Sequence, residues 1–199
     1  MKPFIVIEGL DGAGKSTLLE IFKKLHPDYI QMYSVPDELS EIRKKVDKTH
    51  NSLAALHFFG LCNLLRSHEI SERITKGQKV VMDRYFFSTF AYQYLMVGDD
   101  ILKYFEIVMN SKDKFLLPDL LIFVTAQSEI IRERINQRDK NLKVKYKTEW
   151  YGDEISKNKS LQLKEAYIKF FEMSKVNYKL FDTSNIPLEK MGEELQKLF

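Results

Sequence analysis

Three observations predict an α/β fold built on a doubly wound, five-stranded parallel sheet. Short apolar runs of strand character alternate with helical periodicity along the whole 199-residue chain. The first strand-to-helix turn is glycine-rich: Gly9-Leu10-Asp11-Gly12-Ala13-Gly14-Lys15-Ser16-Thr17. A later strand ends in the acidic-basic pair Asp83-Arg84. In such sheets the carboxyl ends of the strands share one ligand crevice.

The elements follow in order. Phe4-Ile5-Val6-Ile7 reads as a buried strand, and Leu18 to Leu25 continue the loop as a helix ending near His26-Pro27. Tyr29–Tyr33 is a second, short strand, stopped by Pro36. Asp37 or Ser40 is positioned to cap a helix through Glu41–Val46. A long helix is expected from about Ser52 to Lys76, apolar nearly all round in its first half, hence covered on several sides, and stopped by Gly77. Lys79–Asp83 is a strand, followed by helical patterns at Ser88–Val97 and Asp100–Asn110. Leu120–Val124 is the most apolar strand and should be central. Ser128–Gln137 is helical, whereas Arg138–Trp150 is Lys-rich without a clean period and reads as a loop. Lys157–Met173, Tyr178–Phe181 and Leu188–Phe199 complete the chain as helix, strand and helix.

Composition narrows the function classes. Apolar residues make up 44% and charged residues 30%, as in a globular domain, and one domain over residues 1–199 is expected. No run approaches the ~20 apolar residues of a membrane helix, and a strand starting at Phe4 leaves no room for a leader. Cys62 is the only cysteine, so no internal disulfide can form; a cytoplasmic setting fits. A net charge of +3 suits anionic small molecules and does not call for nucleic acid. The four histidines show no metal-ligand spacing.

The glycine-rich loop carries the first chemistry. Gly9, Gly14, Lys15 and Ser16 meet the spacing G-x-x-x-x-G-K-S between strand and helix. Backbone N–H groups from Gly12 to Thr17 can then cradle phosphates at a helix N-terminus. Lys15 is expected to reach the outer phosphates of a nucleoside triphosphate and Ser16 to ligate Mg²⁺. Asp83 is a candidate Mg²⁺ acid, and Arg84 a bidentate phosphate ligand facing the same crevice.

With these residues in view, the chain resembles the thymidylate kinases. The resemblance rests on Phe4 to Thr17, on Asp83-Arg84-Tyr85 followed by Ser88 and Ala91-Tyr92-Gln93, on Pro118-Asp119, and on Phe181-Asp182-Thr183-Ser184. It implies an ATP- and Mg²⁺-dependent nucleoside monophosphate kinase of P-loop type, with a lid at about residues 138–154 and a homodimeric assembly. By motif position it implies that Asp11 lies near the acceptor sugar and phosphate, and that Arg84 and Arg43 hold that phosphate. Phe59 would stack on the base, with Thr89 and Gln93 lining its pocket. Arg138 would pack on the donor adenine, and the catalytic arginine would come from Arg132, Arg134 or Arg138. Lys140, Lys143, Lys145 and Lys147 would make the lid basic.

The family pattern is not followed everywhere. Asn63 stands where thymidylate kinases carry a base-contacting arginine, and Arg66 lies one turn further as a substitute. Phe58 to Asn63 resembles the UMP/CMP kinases of the same clan, which keeps UMP, CMP and their deoxy forms as alternative acceptors. Ser34-Val35-Pro36-Asp37 replaces the family's arginine and Gly-Gly turn. Deoxynucleoside kinases, a different class, need a carboxylate to deprotonate a hydroxyl, and Val35 occupies that position, leaving only Asp37 or Glu38 nearby. A binding module without catalysis would have lost Lys15, Ser16, Asp83 or Arg84, and all are present.

Overall fold

A computed structural model describes residues 2–111, 115–142 and 157–199. The expected lid lies largely outside them, as do Lys143, Lys145, Lys147 and Trp150.

The sheet has five parallel strands: β1 (Phe4–Gly9), β2 (Tyr29–Tyr33), β3 (Lys79–Asp83), β4 (Leu120–Thr125) and β5 (Tyr178–Asp182), in the order β2-β3-β1-β4-β5. The doubly wound expectation holds. The middle position belongs to β1, not to the Leu120 strand. β4 is nonetheless flanked on both sides and buried throughout, as its unbroken apolar run requires. The register aligns Ile7 with Asp83 and Gly9 with Val124, so the glycine-rich loop and the acid emerge side by side.

The connections set the layers. The chain leaves β1 toward one edge through α1 (Lys15–Leu25) and returns through α2 (Ser40–Thr49) and α3 (Ser52–Thr75). It then crosses to the other edge through α4 (Phe86–Val97), α5 (Asp100–Asn110), α6 (Ser128–Leu142) and α7 (Lys157–Ser174). Right-handed crossovers running in opposite directions put α1 and these later helices on opposite faces. The packing agrees, with α8 (Met191–Gln196) on α1, and α4 on α3, α5 and α7. Much of the aromatic content is core, including Phe4, Phe22, Phe123 and Phe171.

Three local expectations are corrected. Neither Asp37 nor Ser40 caps α2, because a 3₁₀ turn over Asp37–Leu39 runs directly into the helix and Ser40 is already its first residue. α6 does not stop at Gln137 but continues to Leu142; no proline or glycine interrupts it, so Arg138 sits on a helix and not in a loop. The apolar half of α3 is covered on one side only. Ala55, Leu56, Phe58 and Cys62 are buried, whereas Leu53, Leu61, Leu64 and Leu65 are exposed.

Candidate active site

Two adjoining cavities open at the carboxyl end of the sheet, of about 460 and 500 Å³. The second is lined by Gly12, Gly14, Lys15, Ser16 and Thr17, together with Arg134 from α6. The first is lined by Arg43, Phe59, Thr89, Tyr92 and Gln93. Asp11, Asp83, Arg84 and Arg138 line both, and so form the wall between them.

The phosphate-loop side is held closely by its neighbours. Gly12 has φ +77°, and a Cβ there would lie 2.9 Å from Ile135 and 3.1 Å from the Ile131 carbonyl, so α6 packs directly on the loop. Buried Ile131 and Ile135 fix that face of α6 and turn Arg134 and Arg138, one helical turn apart, toward the cavities. Arg134 Nη1 donates to Thr183 Oγ1 at 2.8 Å, and Thr183 donates to the Ala13 carbonyl at 2.8 Å. Arg134 is thus pinned over the loop, beyond the dividing wall. Arg132, on the same helix, is exposed and lines neither cavity.

Lys15 donates to the Leu10 carbonyl at 2.8 Å, with its Nζ 3.5 Å from the Asp11 carboxylate. Burial and the nearby Arg84 charge lower its pKa to about 8, against the pull of Asp11. Burial would raise the Asp11 pKa, but Arg84 and Lys15 outweigh it and hold the carboxyl at about 2. Above pH 8 the free protein therefore carries a neutral Lys15, whereas bound phosphates would favour the ammonium. ATP binding at pH 8.5 should accordingly take up protons. Titration calorimetry in buffers of different ionisation enthalpy should give different apparent heats at pH 8.5 and converging heats at pH 6.5.

Arg84 is held at several points. Its backbone sits at φ +60°, an uncommon left-handed conformation for arginine, fixed by its N–H donating to the Ile7 carbonyl at 3.0 Å. Nη2 pairs with Asp11. Nη1 donates to Ser88 Oγ and to Tyr167 Oη, each at 3.0 Å. Behind them, Ser88 Oγ donates to Glu8 at 2.6 Å and lies 2.7 Å from Tyr167 Oη. Glu8 is fully buried at the end of β1 and also accepts from the backbone N–H groups of Tyr85 and Ser88, at 2.8 and 3.2 Å. Tyr167→Phe removes one acceptor of the arginine. It should lower kcat/KM for the acceptor by about tenfold and leave the KM for ATP unchanged in steady-state assays.

Glu8 and Tyr167 carried no assigned role in the sequence. A carboxylate inside an apolar strand was a visible signal for Glu8. Tyr167 gave none, because it lies within the apolar stripe of α7.

Most expected site residues are brought together here, with exceptions. Arg66 lines neither cavity: its Nε donates to the Tyr33 carbonyl at 2.8 Å and its Nη1 to Glu69 at 2.6 Å. It is spent on the open end of β2, whose terminal carbonyl needs a donor, so its expected contact with the base is withdrawn. Asn63 is 1% exposed and stands behind Thr89, not on the cavity wall. Arg43 lies over the Phe59 ring, 5.8 Å from its centroid, at the rim. Asp83 Oδ1 is buried with no hydrogen-bond partner among the described residues, and the exposed Ser16 lines the same cavity. An orphaned carboxylate oxygen in the same cavity as a hydroxyl, at a phosphate loop, fits a hard divalent cation.

The model for the thymidylate kinase family matches residues 7–194. The chain belongs to the thymidylate kinase family. By family it is an enzyme, a nucleoside monophosphate kinase that uses nucleotide substrates. It is 32% identical over 148 residues to a thymidylate kinase of Leptospira borgpetersenii, covering 69% of this chain and 70% of that one. A solved thymidylate kinase from Candida albicans has the same fold (TM-score 0.72, 19% identity), covering 99% of this chain and 91% of the other. A thymidylate kinase from Ehrlichia chaffeensis matches at TM-score 0.66 and 17% identity, covering 99% and 97%.

Proposed function

We propose that this member of the family transfers the γ-phosphoryl group of ATP to dTMP, giving dTDP and ADP. The observation that carries this reading is the shared wall. A phosphate-loop cavity and an aromatic-lined cavity meet at Asp11, Asp83, Arg84 and Arg138, so donor and acceptor phosphates have one place to meet. An acceptor phosphate oxygen attacks the γ-phosphorus, and the bond to the β-phosphate oxygen breaks. The acceptor is already ionised near neutral pH, so no general base is required. Arg84 holds the acceptor phosphate, Lys15 the outer phosphates of ATP, and Arg138 reaches the transferred group from the wall. Arg134 clamps the donor at the loop, and Ser16 and Asp83 would hold Mg²⁺. A cation held there would supply charge neutralisation for the transferred group.

The cavity also argues against transfer to a nucleoside hydroxyl. Its carboxylates among the described residues are Asp11 and Asp83, and Asp11 is held at about 2 by Arg84 and Lys15. Asp37 and Glu38 are exposed and do not line it, whereas the apolar Val35 does. ADP release should be followed with ATP and Mg²⁺ against dTMP, dUMP, UMP, CMP, dCMP and thymidine. dTMP should be preferred and thymidine inert. Preference for UMP or CMP would change the acceptor, and turnover of thymidine alone would overturn the reading.

The homodimer belongs to the same proposal. Leu53, Leu61, Leu64 and Leu65 leave an apolar stripe on α3 that a second copy would cover. Leu61→Glu with Leu64→Glu should give a monomer in sedimentation velocity where the parent chain sediments as a dimer. A cytoplasmic location is also proposed. No described helix is long and apolar enough to cross a membrane.

A further inference from the structure

The wall of the acceptor cavity contains two polar side chains one turn apart on α4, Thr89 and Gln93. Each is already half committed. Gln93 Nε2 donates to the Ser52 carbonyl at 3.0 Å, and a carbonyl can only accept, so the amide must present its oxygen elsewhere. Thr89 Oγ1 accepts from Asn63 Nδ2 at 3.0 Å, while no described group accepts the Thr89 proton. Asn63 is buried, and its Oδ1 has no partner among the described residues, a cost that a small apolar residue would avoid.

We propose that Asn63 sets the hydrogen-bond polarity of the base pocket by turning the Thr89 hydroxyl into a donor beside the Gln93 acceptor. This inference rests on the acceptor reading above. A donor next to an acceptor matches the imide edge of thymine or uracil, where N3–H stands beside C4=O. Cytosine presents the reverse, an unprotonated N3 beside an amino group, and would meet Gln93 oxygen to nitrogen lone pair and Thr89 proton to proton. Asn63 is therefore a positioning residue that acts through Thr89. It does by orientation what the family's arginine at this position would do by direct contact.

The test is equilibrium binding of dTMP and dCMP by calorimetry, which needs no turnover. Wild type should bind dTMP at least about tenfold more tightly than dCMP, since mispaired buried polar groups discriminate strongly. Asn63→Asp can only accept, so Thr89 must donate to it and show the pocket its oxygen; the preference should shrink by about tenfold or reverse. Thr89→Val should shrink it as well, and adding Asn63→Asp to Thr89→Val should change nothing further. Asn63→Leu, which adds no buried charge, should narrow the preference in the same Thr89-dependent way and covers the case of an unfolded Asn63→Asp protein. An equal effect of the Asn63 variants with and without Thr89 would overturn the proposal. So would a wild-type preference for dCMP, which means the amide is turned the other way. Equal binding of both nucleotides would overturn this inference alone and leave the monophosphate kinase standing. Binding of ATP but of neither monophosphate would overturn both.

Discussion

Arg84→Ala should lower kcat/KM for the monophosphate acceptor by about three orders of magnitude or more, with ATP affinity nearly unchanged. The guanidinium lines both cavities and is oriented by Asp11, Ser88 and Tyr167, with Glu8 behind them. A pre-oriented cation in a partly dry site stabilises developing charge far better than one that must be ordered during reaction. Arg84→Lys should recover little, because an ammonium cannot reproduce the planar fork. The substitution also leaves Asp11 with Lys15 as its nearest cation, so the Asp11 pKa should rise from about 2 toward the ordinary carboxylate range. Stability contributed by Asp11 in the parent chain is present above the unfolded value near 4 and lost as pH falls toward 2. In Arg84→Ala that acid window should narrow. Steady-state kinetics with each substrate varied, and fluorescence titration of ATP, check the first claim. A collapse of ATP affinity with acceptor affinity kept would assign Arg84 to the wrong nucleotide.

Gly9→Ala should be the most damaging single methyl group in the chain. Gly9 closes β1 with φ +149°, and a Cβ there would lie 2.1 Å from the Val124 carbonyl oxygen of the paired strand. The clash is with backbone, so no rotamer change relieves it; the two strands would have to part at the mouth of the site. The expected loss is about 4 kcal/mol or more, at the extreme of single substitutions. Urea unfolding should show a much lower midpoint or no folded protein. Gly60→Ala is the control with the opposite sign. Gly60 lies inside α3 with open space around it, so alanine should stabilise by about 0.5–1 kcal/mol through helix propensity and chain entropy. An unchanged midpoint for Gly9→Ala would contradict the close approach of β1 and β4.

The reach of the sequence differs between elements. Strand positions, the phosphate loop and the Asp83-Arg84 pair were legible because each depends on local chemistry: period, glycine spacing, an acid at a strand end. The end of α6 was not. Helix propensity falls off gradually after Gln137, and what makes Arg138 part of the site is the packing of Ile131 and Ile135 on Gly12. Its place one helical turn beyond Asn63 likewise marked Arg66 as a substitute base contact, whereas only the position of the β2 end shows that it is already engaged by Tyr33 and Glu69.

By itself the sequence determined the fold class, the phosphate loop and the resemblance to a nucleotide kinase family, because these follow from patterns within a few residues of one another. The tertiary structure decided which arginines face a cavity, that Glu8 and Tyr167 stand behind Arg84, and that Asn63 donates to Thr89. Those relations join residues up to 159 positions apart, as between Glu8 and Tyr167. Hydrogen-bond direction and burial exist only once the strands and helices have been packed against each other.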